Sequence, residues 1–218
     1  MLFRLKPTAG RFIQRWLPTL LMGLLPLGGS LAGDATTLKL PYWKQTENRY
    51  QPERTCSLTS LAMVTDYFGL TDPQTTGRTP DYLFGRLDGV RQTVAALQEG
   101  FNSIAAAAGS DLRAHSKTNG TISELRAALA TGHPAIVHGW FTPSGHILVV
   151  TGFDGDHYTV HDPNGRWNLE KWGSYDTGMS GRDLRYPKEA FELAINDNGS
   201  GDDLWLHIFR RQVATGKQ

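Results

Sequence analysis

Residues 145–167 read GHILVVTGFDGDHYTVHDPNGRW. Two short runs rich in β-branched and aromatic residues, HILVVTGF and HYTVHDP, flank an Asp-Gly-Asp turn, the pattern of a β-hairpin. Side chains alternate faces along a strand, so His146, Leu148 and Val150 share one side. Tyr158, Val160 and Asp162 share one side of the return strand. The two sets meet when the residue numbers of paired positions sum to an even value, as with a three-residue turn at 154–156. His146 and Asp162 then lie opposite or diagonal, within reach of each other. A two-residue Asp154-Gly155 turn would put them on opposite faces. The even register also gathers Leu148, Val150, Tyr158 and Val160 into one core face, which favours it.

Upstream, HPAIVHGWF (133–141) reads as another strand, with Pro134 tolerable only at its start. LWLHIF (204–209) reads as a last strand, and a short helix should begin at Pro187. The first half is helical in pattern. Leu58, Leu61, Ala62, Thr65 and Phe68 recur three or four apart, predicting a helix over 57–68 that stops at Gly69. Leu87, Val90, Val94 and Leu97 predict a second over 86–98, ended by Gly100. Thr121 and Glu124 form a capping-box pair that opens a third, carrying Ile122, Leu125 and Leu129 and closed by Gly132. A short extended piece is expected at 38–43. Helices followed by strands predict an α+β domain, N-terminal helices packed against a C-terminal antiparallel sheet. The regular βα alternation of a doubly wound fold is missing.

Cys56 is the only cysteine in the chain, so it has no internal disulfide partner. It stands at the first turn of the 57–68 helix, where unpaired N–H groups and the helix dipole favour an anion such as a thiolate. His146 can take a thiol proton at neutral pH. Asp162 can fix the His146 tautomer and steady its charged form. An acyl-transfer site also needs an oxyanion donor, and Gln45 and Gln51, both upstream of Cys56, are the candidates. Trp140, Phe141 and Trp167 are candidate substrate contacts, and Trp140 and Phe141 directly precede the loop that leads to His146. The competing readings are plain ones. Asp162 ahead of Pro163-Asn164-Gly165 could serve only as a turn starter, and His146 as an ordinary strand histidine. Zinc on Cys56, His146 and Asp162, with His138 or His161, lacks the short ligand spacing of structural zinc sites. The acidic NDNGSGDD (196–203) lacks the spacing and terminal glutamate of a calcium loop. No metal or other cofactor is expected.

The whole chain has 218 residues, 39% hydrophobic and 20% charged, with a formal net charge of +1. That composition suits one soluble domain with a real core. Residues 1–32 read as an export signal. Arg4, Lys6, Arg11 and Arg15 precede the apolar WLPTLLMGLLPLGGSLA, and Ser30 and Ala32 provide small residues for cleavage before Gly33. Pro18 and Pro26 interrupt a run barely long enough to span a bilayer, so an uncleaved anchor is the alternative to cleavage. Removing the signal leaves 18 basic against 21 acidic residues. The mature 33–218 domain then lacks the basic footprint that nucleic-acid binding needs. It is expected outside the cytoplasm, periplasmic or secreted, without stable membrane association once cleaved.

TCSLTSLAMVTDYFG (55–69), LRAALATGHPAIVHGW (125–140) and GHILVVTGFDGDHYTVHDPNGRW together resemble papain-like cysteine peptidases of the bacteriocin-processing, double-glycine type, in a stand-alone form without a transporter. The resemblance covers roughly residues 38–210. It implies a papain-like fold and a Cys-His-Asp triad in which Cys56 is the nucleophile, His146 the base and then acid, and Asp162 the orienting residue. It places an oxyanion glutamine upstream, and PYWKQTEN points to Gln45 rather than Gln51. Relatives often carry glycine after the cysteine, where this chain has Ser57. The transporter-fused members cleave leader peptides; an exported chain without a transporter is expected instead to act on a protein or peptide substrate of the cell envelope or beyond. The same triad could serve a peptidoglycan amidase or endopeptidase, or an acyltransferase, and the same fold could be a binding module that has lost turnover.

Overall fold

A computed structural model describes residues 37–212. The export-signal reading falls on residues 1–32, outside that range. After a single 3-10 turn at Gln45–Glu47, the elements run α1 (Cys56–Tyr67), α2 (Thr79–Arg86), α3 (Val94–Ala107), β1 (Leu112–Gly120), α4 (Ile122–Ala130), β2 (Ala135–Gly139), β3 (His146–Phe153), β4 (His157–His161), β5 (Arg166–Trp167), β6 (Tyr175–Asp176), β7 (Leu184–Pro187), α5 (Lys188–Ala194) and β8 (Leu204–Arg211). Six strands form one antiparallel sheet in the order β1-β8-β2-β3-β4-β7, while β5 and β6 pair apart as a small arm. The fold is α+β.

Both faces of the sheet are covered. On one, Ile136, Ile147, Val149 and Phe209 pack with Leu58, Leu61 and Met63 of α1 and with Leu97 and Phe101 of α3. On the other, Val137, Leu148, Val150, Tyr158, Val160 and Leu206 pack with Leu125 and Leu129 of α4 and Phe191 of α5. The face shared by Leu148, Val150, Tyr158 and Val160 is the one expected from the hairpin pattern. Helix α1 is buried along almost its whole circumference from Cys56 to Thr65, so its apolar stripe understates its enclosure. Its buried polar groups are bonded: Asn48 Nδ2 donates to Thr55 Oγ1 at 3.0 Å and Thr59 Oγ1 at 2.8 Å, and Thr59 Oγ1 donates to the Thr55 carbonyl. Such pairing is what makes burial of hydroxyls and amides tolerable.

The helix expected over 86–98 is instead two helices with a turn between them. Pro80 opens α2 in its first turn. Asp88 and Gly89 then take positive φ values of 53° and 96° and reverse the chain. Thr93 caps α3 by accepting from the Ala96 N–H. Leu87 and Leu97 of the expected apolar stripe still join one core across the break. Gly100 lies inside α3 and does not end it. The third helix is α4, with the Thr121–Glu124 capping box in place. Pro187 is the N-cap of α5 rather than its first residue. Residues 38–43 form no strand, although Leu38 N–H bonds to the Thr151 carbonyl at 2.9 Å.

The β3–β4 turn also differs from expectation. Phe153 pairs with Tyr158, and Asp154 N–H bonds the His157 carbonyl, so Gly155 and Asp156 are the turn residues and the register there is odd. Gly152 keeps that register opposite Thr159, and the next residue, Thr151, forms a β-bulge. Beyond it Val150 pairs with Val160 and Val149 with His161, an even register. One more step sets Asp162 beside Leu148, diagonal to His146. The expected neighbourhood is reached by a tight turn plus a bulge, not by a three-residue turn.

Candidate active site

A cleft of about 480 Å³ opens where the N-terminal end of α1 meets the β2–β3 connection. Cys56, Gln92, His138, Trp140, His146 and Trp205 are among the residues that line it. Cys56 is the first residue of α1, and its thiol is mostly covered. Its sulfur lies 4.0 Å from Gln92 Oε1, and the Gln92 amide is oriented by Nε2 donating to the Arg54 carbonyl at 2.7 Å. Ser57 is buried, and its hydroxyl accepts the Arg91 N–H. One turn along α1, Ser60 donates to the Ile147 carbonyl at 3.1 Å, tying the helix of the thiol to the strand that begins with His146.

His146 opens β3 and is 5% exposed. Its Nε2 is 2.8 Å from Asp162 Oδ1. Burial alone would push the imidazolium down, but the Asp162 carboxylate outweighs it, with further raising from Cys56, and His146 stands at about 10. It therefore holds its second proton at neutral pH. Asp162 is fully buried and takes four hydrogen bonds. Oδ1 accepts His146 Nε2 and the Asn164 N–H at 3.0 Å, while Oδ2 accepts the hydroxyls of Tyr175 and Tyr186, each at 3.0 Å. Its backbone is fixed as well. Asp162 N–H bonds the Gly181 carbonyl, and Tyr42 donates its hydroxyl to the Asp162 carbonyl while accepting the Gly181 N–H. Position 181 has room for glycine alone, since a Cβ there would sit 1.8 Å from the Asp162 carbonyl oxygen.

The other predicted residues are placed less uniformly. Gln45 is buried in the 3-10 turn. It donates Nε2 to the Pro52 carbonyl at 3.0 Å, its Oε1 has no partner, and it is not among the residues that line the cleft. Gln51 is exposed, with φ of 44°. Trp140 lines the cleft and is half exposed. Phe141 and Trp167 are core residues instead: Phe141 meets the His146 ring edge-on at 6.2 Å and Trp167 at 5.2 Å. Just past the end of β2, Trp140 faces the cleft while the next residue, Phe141, is buried in the core. The histidines proposed as extra zinc ligands are engaged elsewhere. His138 Nε2 lies 3.0 Å from His207 Nε2, whose other nitrogen meets Ser116 Oγ, and His161 Nε2 pairs with Asp183. Burial and the neighbouring His146 push His138 down to about 4, and burial with His138 pushes His207 to about 3, so both rings are neutral near pH 7. Among the described residues no three His, Cys, Asp or Glu side chains are grouped to hold a metal ion, and no helix is long and apolar enough to cross a membrane.

Gln92, Tyr175 and Tyr186 join the site without having been expected there. No local pattern marks them, because each reaches the site by a fold-level contact.

The model of the Peptidase_C39 like family matches residues 37–193. Among solved structures, a protein described as a C39-like peptidase from Bacillus anthracis is similar at 18% identity and a TM-score of 0.55, covering 83% of this chain and 100% of its own. A double glycine motif protease from an AMS/PCAT transporter, solved in complex with the leader peptide, is similar at 19% identity and a TM-score of 0.50, covering 81% of this chain and 94% of its own. At these identities the two structures speak to the fold. No curated protein matches the chain.

Proposed function

This chain belongs to the Peptidase_C39 like family, and on that premise we propose that it is a cysteine peptidase that hydrolyses peptide bonds through a thioester on Cys56. The observation that carries the reading is the 2.8 Å bond between His146 and the buried Asp162 at the edge of a cleft that Cys56 also lines. Asp162 occupies Nε2, so Nδ1 is the ring nitrogen left to serve the thiol. The Cys56 sulfur attacks the scissile carbonyl carbon and forms a C–S bond. The carbonyl π electrons move to oxygen, giving a tetrahedral oxyanion. The thiol proton resides on His146, which delivers it to the leaving amine as the C–N bond breaks. Water, deprotonated by the now neutral His146, then attacks the thioester carbonyl carbon; the C–S bond breaks, the Cys56 sulfur leaves as thiolate beside the reprotonated His146, and the acid product is released.

The oxyanion is assigned to the Cys56 N–H, in the first turn of α1 where backbone donors have no helical acceptor. Gln45 is the proposed second donor. One hydrogen of its Nε2 is held by Pro52, and the other remains to be offered when substrate enters. The substrate is a protein or peptide, met outside the cytoplasm if residues 1–32 direct export.

Denatured protein and purified peptidoglycan, incubated separately with the wild type and with Cys56→Ala, test this. New protein termini made by the wild type and absent with Cys56→Ala are expected. Cleavage confined to peptidoglycan would move the assignment to an amidase or endopeptidase. Full activity in Cys56→Ala would sink the mechanism.

A further inference from the structure

The Asp162 carboxylate is held by more than its histidine. Tyr175 comes from β6 in the small two-stranded arm, Tyr186 from β7 at the sheet edge, and both hydroxyls end on the same oxygen, Oδ2, at 3.0 Å. The direction of the Tyr186 bond is set, because that hydroxyl accepts the Trp167 N–H at 2.9 Å and has one hydrogen to give. Tyr175 also touches the imidazole itself, its ring lying edge-on to His146 at 5.3 Å. The only break in the β4 to β7 path is the excursion that carries β5 and β6, so the arm's placement brings Tyr175 over the histidine–aspartate pair.

We propose that Tyr175 and Tyr186 are positioning residues of this site: their hydroxyls fix the plane of the Asp162 carboxylate and share its charge, and through it they hold the His146 ring in its working orientation. The proposal rests on the cysteine-peptidase reading of the cleft for its functional meaning. A fully buried carboxylate is costly unless its lone pairs are filled. Here the lone pairs of Oδ2 go to two neutral donors, which leaves His146 facing Oδ1. Without them the carboxylate could rotate about its Cβ–Cγ bond and present either oxygen to the ring. Two donors on Oδ2 also draw charge away from Oδ1 and moderate its pull on the imidazolium. The ionisable groups that face His146 are Cys56 from α1, His138 from β2, Asp162 at the end of β4 and Tyr175 from β6; Tyr186 and Tyr42 reach it through Asp162. The two tyrosines remain protonated throughout the working range, since burial, followed by the Asp162 charge, pushes both phenols well up.

The test uses Tyr175→Phe and Tyr186→Phe, each of which keeps the ring and its packing and removes one donor. The His146 ring nitrogens are titrated by NMR in the intact protein, which needs no substrate. Each variant is expected to raise the His146 midpoint by about half to one pH unit, because a carboxylate with fewer donors holds the imidazolium more strongly. Turnover should fall roughly tenfold with KM unchanged. An unmoved or lowered midpoint overturns the proposal for that tyrosine and leaves it a packing residue. Absence of Cys56-dependent hydrolysis in the wild type would instead sink the peptidase reading, while the midpoints would still decide whether the tyrosines govern His146.

Discussion

At the scale of the residue, His146 is governed by two opposing influences. Burial disfavours the charged ring, and the carboxylate of Asp162 reverses that preference. The raised value fixes the sign of the pH dependence. A group held above its ordinary 6.5 contributes stability that is complete below about 6.5 and is lost as pH rises through about 10. Melting temperature should therefore fall across that window, and in Asp162→Asn the fall should shift to lower pH. The same substitution should bring the alkaline limb of kcat/KM down from near 10, with folded structure retained by circular dichroism. An alkaline limb that stayed in place in Asp162→Asn would remove Asp162 from its assigned role. Much of this pair was legible beforehand: His146 and Asp162 stand out from the parity of one hairpin. The phenols of Tyr175 and Tyr186 were not, since an isolated tyrosine in a loop or edge strand carries no sign of what its hydroxyl will meet. Phe141 and Trp167 show the converse, aromatic residues near the right place in sequence that serve the core behind the histidine.

At the scale of the element, local signals succeeded where the chain itself supplies the partner. The Thr121–Glu124 capping box is closed within four residues and was readable as such. Thr121→Ala should lower stability by about 1 kcal/mol in denaturant titration and leave hydrolysis unchanged. A loss of several kcal/mol would mean that Thr121 does more than cap. Apolar spacing misled over 86–98, because periodicity is indifferent to a turn when both flanking helices face one core. Strand β1 has only Leu112, Ala114 and Gly120 buried among polar neighbours, so an edge strand held largely by its backbone left little pattern to read. The hairpin is the more instructive case. Its tight turn alone would send His146 and Asp162 to opposite faces, and the single bulge at Thr151 returns them to one. Bulges arise from the packing on both sides of a strand, so neither the turn nor the bulge was separately readable, although their combined result was.

At the scale of the whole molecule, the α+β class follows from the succession of patterns, but the strand order does not. Strand β8 lies between β1 and β2, joining two segments that never touch each other in the sheet. Leu204, Leu206 and Phe209 on it are fully or almost fully buried. Deleting residues 204–211 should abolish the cooperative thermal transition, a far larger effect than the roughly 2–5 kcal/mol expected from a single Leu206→Ala. A deletion variant that still melted cooperatively would show that the remaining strands close without it. This position of β8 also bears on when a copy becomes competent. The segment is translated after every other strand of the sheet, and Asp203 and Trp205, which arrive with it, form part of the cleft wall. A nascent chain halted before that point has its thiol and imidazole but only an unfinished groove beside them. Completion of the groove thus waits on the ribosome delivering this stretch and on its insertion between β1 and β2.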